Sequence, residues 1–570
     1  MSLTKFEWIP NEVLLEIFEF LSPVDIFQGF YYLNKRYNEF LQSLHIRADL
    51  VNLRKRTYDY YNYFLFPLMS QRIIALRCED IFDRLMYQIR LSEFPALKYL
   101  TIDKLQFQTL QKILPQINLL QKLVYLNLQI QSDHIREEMI TFRGQLPLLQ
   151  TCIFDLNTQL SIENDQPYSQ LTNLVLNQCH IEQLCSFVHF YTPQLQQLTV
   201  TLANGKIPES CYVIPHLKSL VVYTNEVSFA NLVKSMLSSV PNLQLLTIDA
   251  TDIDYANGKS WESVLSTHLR KLIHLRLNVR FSENDLPAIN DRKELLQTFD
   301  TSYFRSRYWS FALHHCRTKR TLELFSTPMV KKSIEFNLYN TNVEKPMTDA
   351  DEMFENVENL TLFLTILDES LLRERFHFPN VKSLKLVSHF QECQAFPKSL
   401  LADMAHLVKL SNVESIEFIG NHFPTSSLIL LDYTPKLHSL SVRLSSIIKM
   451  TKMLTDQNIC QRLTKLIRHL TITAINNLKD LSFYERLPTV FAHLDSLTLS
   501  CENLDDLYLL ITLLLSKMAS KLRTMKLCIS PFYDKKNLDQ FMSWLIDYMY
   551  QRDLSHVDIQ LSNNQISFCF

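Results

Sequence analysis

The stretch "FPALKYLTI", Phe94–Ile102, sets Leu97, Leu100 and Ile102 around the polar or aromatic Lys98, Tyr99 and Thr101. Apolar–polar alternation over so short a run predicts a strand with one buried face. The L-x-x-L-x-L spacing recurs in "QKLVYLNL" (Leu123, Leu126, Leu128) and "SQLTNLVLNQC" (Leu171, Leu174, Leu176). It continues in "TPQLQQLTV", "IPHLKSLVV", "VPNLQLLTI" and "RKLIHLRL". After a break come "NVENLTLFL", "FPNVKSLKL", "NVESIEFI", "TPKLHSLSV", "KLIRHLTI", "AHLDSLTL" and "SKLRTMKL". A weaker first copy is "QRIIALRC", with Ile73, Leu76 and Cys78. Leading positions from 73 to 272 lie 22 to 29 residues apart, and a second series runs from 357 to 522. Helix-like stretches such as "FANLVKSMLSSV" and "LYLLITLLLSKMASKL" separate the strands. One strand–helix unit cannot bury its apolar face alone, so neighbouring copies must stack.

Period and pattern resemble the leucine-rich repeat family over most of residues 70–570. The resemblance implies an α/β solenoid, curved, with a parallel sheet on its concave face and helices on its convex face. The family's asparagine or cysteine five residues after the second leucine is kept at Cys179, Asn225 and Asn421. Leu105, Gln131 and Arg280 depart from it, which predicts irregular turns.

Alternation assigns the outward side chains of the sheet. They include Tyr99, Thr101, Asn127, Asn173, Thr199, Ser219, His274 and Arg276, then Thr361, Ser383, Lys385, Ser439, Ser441, Arg443, Thr471, Thr498 and Lys526. This face reads either as a solvated wall or as a protein-binding one. For the second reading the candidates are Tyr99, Asn127, His274, Arg276, Lys385, Arg443 and Lys526.

The repeat weakens between 281 and 355, where "SYFRSRYWSF" gathers Tyr303, Phe304, Arg305, Arg307, Tyr308, Trp309 and Phe311. Two readings stand: degenerate repeats with an inserted helix or loop, or a recognition insertion built on aromatics and arginine. The neighbouring His314, His315 and Cys316 do not have metal-ligand spacing, because adjacent side chains point different ways.

Composition removes several function classes. The chain has 570 residues, so one compact core is too small a container and domains or a repeat array are expected. A net charge of −2 gives no global pull toward nucleic acid or anionic membrane. Five glycines and no GxGxxG or GxxxxGK[ST] leave no phosphate cradle, and no cofactor is expected. The 11 cysteines are scattered without a CxxC, which suits a reducing compartment. The longest apolar run, Leu507–Leu515, falls short of the roughly 20 residues of a membrane span. "MSLTKFEWIP" carries no secretory pattern. HExxH, GxSxG and a Cys/His nucleophile signature are missing, so no enzyme is expected. "DDLY" (Asp505, Asp506) and "TDADE" (Asp349, Asp351, Glu352) read as turns or helix starts.

The N-terminal "IPNEVLLEIFEFLSPVDIFQGFYYLNKRYNEFL" reads as three short helices. Pro10 suits a helix start, and Leu14, Ile17, Phe18 and Leu21 form one face, with Val13 and Phe20 on a second. Ser22, Pro23 and Asp25 are placed as N-cap, N1 and N3 of the next helix. About forty residues hold more apolar surface than so small a unit can bury, which points to a partner.

The segment resembles the F-box motif over about residues 5–45, with Ile9 where leucine is usual and Tyr37 where tryptophan is common. An F-box followed by leucine-rich repeats is a known order in that family. The resemblance implies a substrate-recognition adaptor of a Skp–cullin–F-box type ubiquitin ligase: the F-box docks on a Skp-type adaptor, which leads to a cullin–RING ligase, and the repeats hold a protein substrate. By carry-over Ile9, Pro10, Leu14, Ile17, Phe18, Leu21, Ile26 and Tyr37 lie at the adaptor or in the motif's own core. The alternative is a repeat scaffold without a ligase role, whose first helices cap the solenoid. The organisation expected is an F-box-like motif over 1–48, a connecting helical segment over 49–70, repeats over 71–280 and 356–570, and the irregular 281–355 between them. No nucleic acid or membrane partner is expected, and the compartment expected is cytoplasm, nucleus or both.

Overall fold

The computed structural model describes residues 8–569, apart from 52, 54, 80–89, 106, 131–138, 141–145, 158, 161–167, 169, 206–212, 287–288, 317–318, 330, 338–340, 345–352, 365–376, 389–403, 421–422, 424, 476–481, 502–503, 519–521, 530–534, 553, 555–556 and 563–564. The protein is mixed α/β with large parallel sheets. It divides into two compact units, Met1–Val221 with Lys234–Asn242, and Val222–Val233 with Leu243–Phe570.

The first unit opens on helices α1 (Asn11–Phe18), α2 (Pro23–Phe30) and α3 (Lys35–Ser43). Pro10 is the residue before α1, one place earlier than its fixed φ suggested. Ser22 caps α2 by accepting from the Asp25 N–H at 3.2 Å, and Pro23 opens the helix, as the sequence predicts. Asn34 caps α3 through the Tyr37 N–H at 3.0 Å. The three helices close on Leu14, Phe18, Val24, Ile26, Phe27, Tyr37 and Leu41. The Phe30 ring stands 4.9 Å from Phe18 and 5.9 Å from Tyr37.

Strand β1 (Ile46–Asp49) follows α3 at once and pairs in parallel with β2 (Ile73–Glu79). The boundary read at residue 48 therefore falls inside a strand. The ladder continues in parallel through β3 (Tyr99–Leu105), β4 (Tyr125–Ile130), Thr151–Asn157, Asn173–His180 and Gln197–Ala203. Each leading leucine sits in the turn before its strand, and the next backbone N–H already bonds the previous turn. Lys98 donates to Ile74, Val124 to Lys98 and Gln150 to Val124, each at 2.8 Å. Leu97, Leu100, Ile102, Leu123, Leu126 and Leu128 are sealed from solvent. Helix Phe107–Ile117 adds Leu110, Ile113 and Ile117 to that layer. The register shifts between Ile102 and Leu105, with Lys104 at φ 54, but it shifts equally between Leu176 and Cys179, where the expected turn residue is kept. It runs unbroken through Arg280, where that residue is replaced, so irregularity does not follow the replacement.

In the second unit Leu245–Ala250 pairs in parallel with His274–Ser282, and then the direction reverses. Thr321–Ser326 runs antiparallel to His274–Ser282, Phe311–Cys316 antiparallel to it, and Thr341–Glu344 lies beyond. The turn that joins Phe311–Cys316 to Thr321–Ser326 is too short for a crossover, so the pair forms a hairpin. Ser333–Asn337 then opens a second sheet, parallel through Asn359–Leu364, Ser383–Ser388, Ser415–Ile419, Ser439–Arg443, His469–Ile475, Ser496–Cys501 and Thr524–Ile529. Parallel pairing thus resumes upstream of residue 356. "SIEFN" has the strand alternation without the leading leucine that the repeat pattern requires. Antiparallel strands Gln565–Cys569 and Asp558–Ser562 end this sheet.

Where the sheet reverses, charges gather around the buried Glu323. The Lys331 ammonium lies 2.7 Å from Glu323 and 3.5 Å from Asp249. Arg280 reaches Glu323 at 3.6 Å, and Asn278 donates to Asp249 at 3.0 Å. His314 stands 3.7 Å from Glu323 and stacks on Phe336. Burial alone would raise Glu323, but His314, Lys331 and Arg280 outweigh it and hold the carboxyl far below its usual range. Asp249 moves up instead, because burial exceeds the help of Lys331 and Asn278. On the neighbouring residue the partners differ: His315 meets Glu283 at 3.0 Å, and Arg292 clamps that carboxylate at 2.8 Å.

Two devices tie successive copies together. Asn242, Asn356, Asn380 and Asn412 each precede a leading apolar residue. Each donates its amide to a carbonyl of the previous turn: Pro215 at 2.8 Å, Met329 at 2.9 Å, Glu355 at 2.7 Å and Pro379 at 3.2 Å. In the second sheet the residues before the strands alternate in charge in two runs, Lys332, Glu358, Lys382 and Glu414, and, after His438 interrupts the series, Arg468, Asp495 and Arg523. Neighbours along a parallel ladder stand about 4.8 Å apart, so opposite signs face each other. Lys332 pairs with Glu358 at 3.2 Å, and its hydrogen bond, helped by Lys382, holds Glu358 below the usual carboxylate range.

Gly258 opens helix Gly258–Thr267 against the end of helix Ile289–Phe299, where a Cβ would lie 2.2 Å from the Thr298 carbonyl oxygen. Gly258→Ala is expected to lower unfolding free energy by about 1–3 kcal/mol, read by urea denaturation, because backbone must move. Glu323→Gln is expected to cost roughly 3 kcal/mol at pH 7. A carboxyl depressed by folding contributes its stability above its unfolded pKa and loses it as pH falls. The gap between wild type and Glu323→Gln should therefore shrink from about pH 5 down to about pH 2 in urea midpoints.

Candidate functional site

The structure separates the faces of α1 that sequence alone left mixed. Of the eight residues assigned to the adaptor or to the motif's own core, Leu14, Phe18, Ile26 and Tyr37 turn into the three-helix interior. They are core residues, because three helices of eight or nine residues close only by burying their largest facing side chains. Ile9 and Ile17 are half-buried, and Pro10 and Leu21 are exposed. Arg36 fixes the start of α1 by donating to the Ile9 carbonyl and to Asn11 Oδ1.

The outward stripe joins the half-buried Ile17 to residues outside that set. Val13, Ile17 and Phe20 recur at helical spacing, and Phe20 is 88% exposed. At the end of α2 Tyr32 is 75% and Leu33 59% exposed. Tyr32 adopts φ 71, a region side chains avoid, and Asn38 Oδ1 holds its N–H at 2.8 Å. Trp8 adds a further exposed ring before α1. Small soluble units rarely display so many apolar side chains without a partner. The signal was present in the sequence as the second face of α1, which carries Val13 and Phe20.

The second surface is the open face of the sheets. In the first unit Tyr99 is exposed, with its ring centroid 6.5 Å from that of Tyr125. Arg47, Asp49, Arg77 and Thr101 complete a shallow cavity of about 300 Å³. Arg77 is held by Asp103 at 2.9 Å and by Asp49 at 3.8 Å, and the Asp103 hydrogen bond raises its pKa further. Asn127, placed on the displayed wall by alternation, is buried between Thr101 and Ile153 of the flanking strands.

In the second unit, pairing brings Glu335, Thr361, Lys385, Glu417, Ser441, Thr471, Thr498 and Lys526 into one row. Lys385 is neutralised there by Glu417 at 3.2 Å. Lys526 is half-buried on the same row, beside Ser567. Arg443 lies on the next row, opposite Thr473, and precedes helix Leu444–Thr451 without a side-chain cap. His274 and Arg276 are exposed on the first strand series, and Arg276 lines a cleft of about 580 Å³ with Lys332, Glu358, Lys382 and Glu414. The candidates thus occupy several separate places rather than one pocket. Alternation missed Phe363, Val387 and Ile419, half-buried apolar neighbours on the open face. Their signal is an apolar residue directly after the last strand leucine.

The thiols lie in the packing. Burial raises Cys152, and it raises Cys179 to about 12 with help from Cys185, so both stay protonated and poorly nucleophilic. Among the described residues no His, Cys, Asp or Glu group of three or more is placed to hold a metal ion. No helix among them is long and apolar enough to cross a membrane. Asp505 and Asp506 fall in the first turn of helix Leu504–Met518, whereas Asp349, Asp351, Glu352, Gln131 and Asn421 lie outside the described residues.

The chain matches no family model and no curated protein. The resemblances therefore rest on the residues quoted above.

The two faces of α1 carry opposite expectations. Leu14→Ala should lower unfolding free energy by about 2–5 kcal/mol. Phe20→Ser should change it by no more than about 0.5 kcal/mol, since its ring packs against solvent. Urea titrations followed by circular dichroism distinguish them.

Proposed function

We propose that this protein is a non-catalytic substrate-recognition adaptor of a Skp–cullin–F-box type ubiquitin ligase, acting in the cytoplasm or nucleus. Its α1–α3 unit docks on a Skp-type adaptor, and its leucine-rich-repeat solenoid holds a protein substrate. The observation that carries the reading is the outward stripe of Val13, Ile17 and Phe20 on a helical unit that already has its own core. Burying three such side chains offers roughly 1.5–3 kcal/mol each, which offsets part of the cost of association, and Trp8, Tyr32 and Leu33 add further exposed apolar surface. The repeats behind it supply a long side-chain wall, which is what a recognition subunit needs. The mechanism is proximity: a bound substrate meets the ubiquitin-loaded enzyme at high effective concentration, and this chain need supply no reacting group.

One observation favours the scaffold reading. β1 follows α3 directly and pairs with β2, and the Tyr31 ring meets Phe64 at 5.7 Å, so the helices end the sheet. A cap needs only the inward face of these helices. The outward stripe is what separates an adaptor from a cap.

Capture of a purified Skp-type adaptor by the full chain tests the proposal. Wild type should bind. Val13→Glu with Phe20→Glu should weaken binding about a hundredfold with an unchanged melting temperature. Failure of wild type to bind, or equal binding by the variant, removes the ligase reading and leaves the scaffold.

A further inference from the structure

The segment Asp300–Phe311 is built in two layers. Phe304 and Phe311 are buried, and with Phe299 they form a cluster with centroids 4.4 to 5.5 Å apart. Above this anchor, Arg307 donates to the Leu272 carbonyl at 2.7 Å and Trp309 Nε1 donates to the Ile273 carbonyl at 3.2 Å. The Arg307 guanidinium lies 4.9 Å from the Tyr303 ring centroid and 5.2 Å from that of Trp309. These contacts join the segment to the turn "RKLIH" of the preceding strand. The result is one continuous surface carrying Arg270, Lys271, Ile273, Arg307, Tyr308 and Trp309.

Tyr308 stands out on it. The residue is 95% exposed, and its φ of 57 is in the left-handed region that aromatic residues avoid. Glycine would serve the turn with less strain, so the ring is displayed at a conformational cost. Ile273 beside it is 58% exposed. Anchoring requires Phe304 and Phe311 but gives no reason for Tyr308.

Charge decides the occupant. Arg270 and Arg307 have no carboxylate partner among the described residues. Of the nearby carboxylates, Asp300 is neutralised by Arg305 at 2.8 Å, while Glu262 accepts from the Thr301 hydroxyl at 2.8 Å and keeps its charge, one anion against the two arginines. Arg307 is already held in place, and its guanidinium keeps donors beyond the one spent on Leu272. Arginine with tyrosine and tryptophan is the composition that most often anchors protein interfaces. Single-stranded nucleic acid also stacks on aromatics, but it needs a continuous positive track. The cleft beyond Arg276 alternates Lys332, Glu358, Lys382 and Glu414 and supplies none.

We propose that the Tyr308–Trp309–Ile273 surface, with Arg270 and Arg307, binds an acidic segment of a protein partner that carries an aromatic side chain. The site does not depend on the ligase reading and exists equally in a scaffold.

Selection of a displayed random dodecapeptide library on the full chain tests it. Enriched peptides should be net negative with at least one aromatic residue, and should weaken as salt rises. Tyr308→Gly should reduce their affinity about tenfold while its melting temperature stays level or rises, since the backbone strain is relieved. Arg270→Glu should reduce it at least as much. The proposal is overturned if no peptide is enriched, or if the enriched ones are neutral or basic. Undiminished binding to both variants overturns it as well, and so does binding of a single-stranded oligonucleotide in place of peptides.

Discussion

Each strand of this protein buries its leucines only because another strand of the same kind lies beside it in register. The leading residue of each copy, such as Leu97, Leu123, Val381 or Leu437, sits in the turn and is sealed from solvent. The next backbone N–H bonds the previous turn, so pairing begins before the strand does. A single copy has neither its apolar cover nor its hydrogen-bond partners. The asparagine clamps and the alternating charges of the second sheet add direction to this constraint. An asparagine donating to the preceding turn has one reach, and a charge facing its opposite has one favoured neighbour.

The same constraint explains where the pattern fails. After His274–Ser282 the next strands return in a hairpin, and antiparallel neighbours cannot continue the strand–helix period. Lys331, Glu323, Asp249, Arg280 and His314 gather at this reversal. Their charges balance without the histidine, and the array joins four strands to the loop that starts the second sheet. A buried array of this kind gains less from attraction than it loses in hydration unless every partner is present. It specifies one arrangement of the reversal more than it stabilises the whole.

Function is carried by what packing leaves over. The α1–α3 unit satisfies its own interior with Leu14, Phe18, Tyr37 and Leu41 and still displays Val13, Phe20, Tyr32 and Leu33. The 300–311 segment does the same, burying Phe304 and Phe311 while projecting Tyr308. In both places an exposed tyrosine at positive φ stands next to a fully packed aromatic cluster. A rigid base under a projected ring would lower the ordering cost of the binding proposed at each place. The open sheet face is more neutral than its residue types suggest, because Lys385 and Arg77 are already paired.

The strands, their buried faces and the Ser22 cap of α2 were legible in the sequence alone. Alternation and capping are local, and a period of 22 to 29 residues repeats the same local rule. The break at 281 was legible too, but not the hairpin that fills it. The family-like turn asparagine was sought after the strand, while the working ones precede it, at Asn242, Asn356, Asn380 and Asn412. Only the tertiary structure decided which apolar side chains are core and which are surface. Leu14 and Val13, or Phe304 and Tyr308, are alike in hydropathy and adjacent in sequence. What separates them is which other elements close over each one, and that depends on residues tens of positions away.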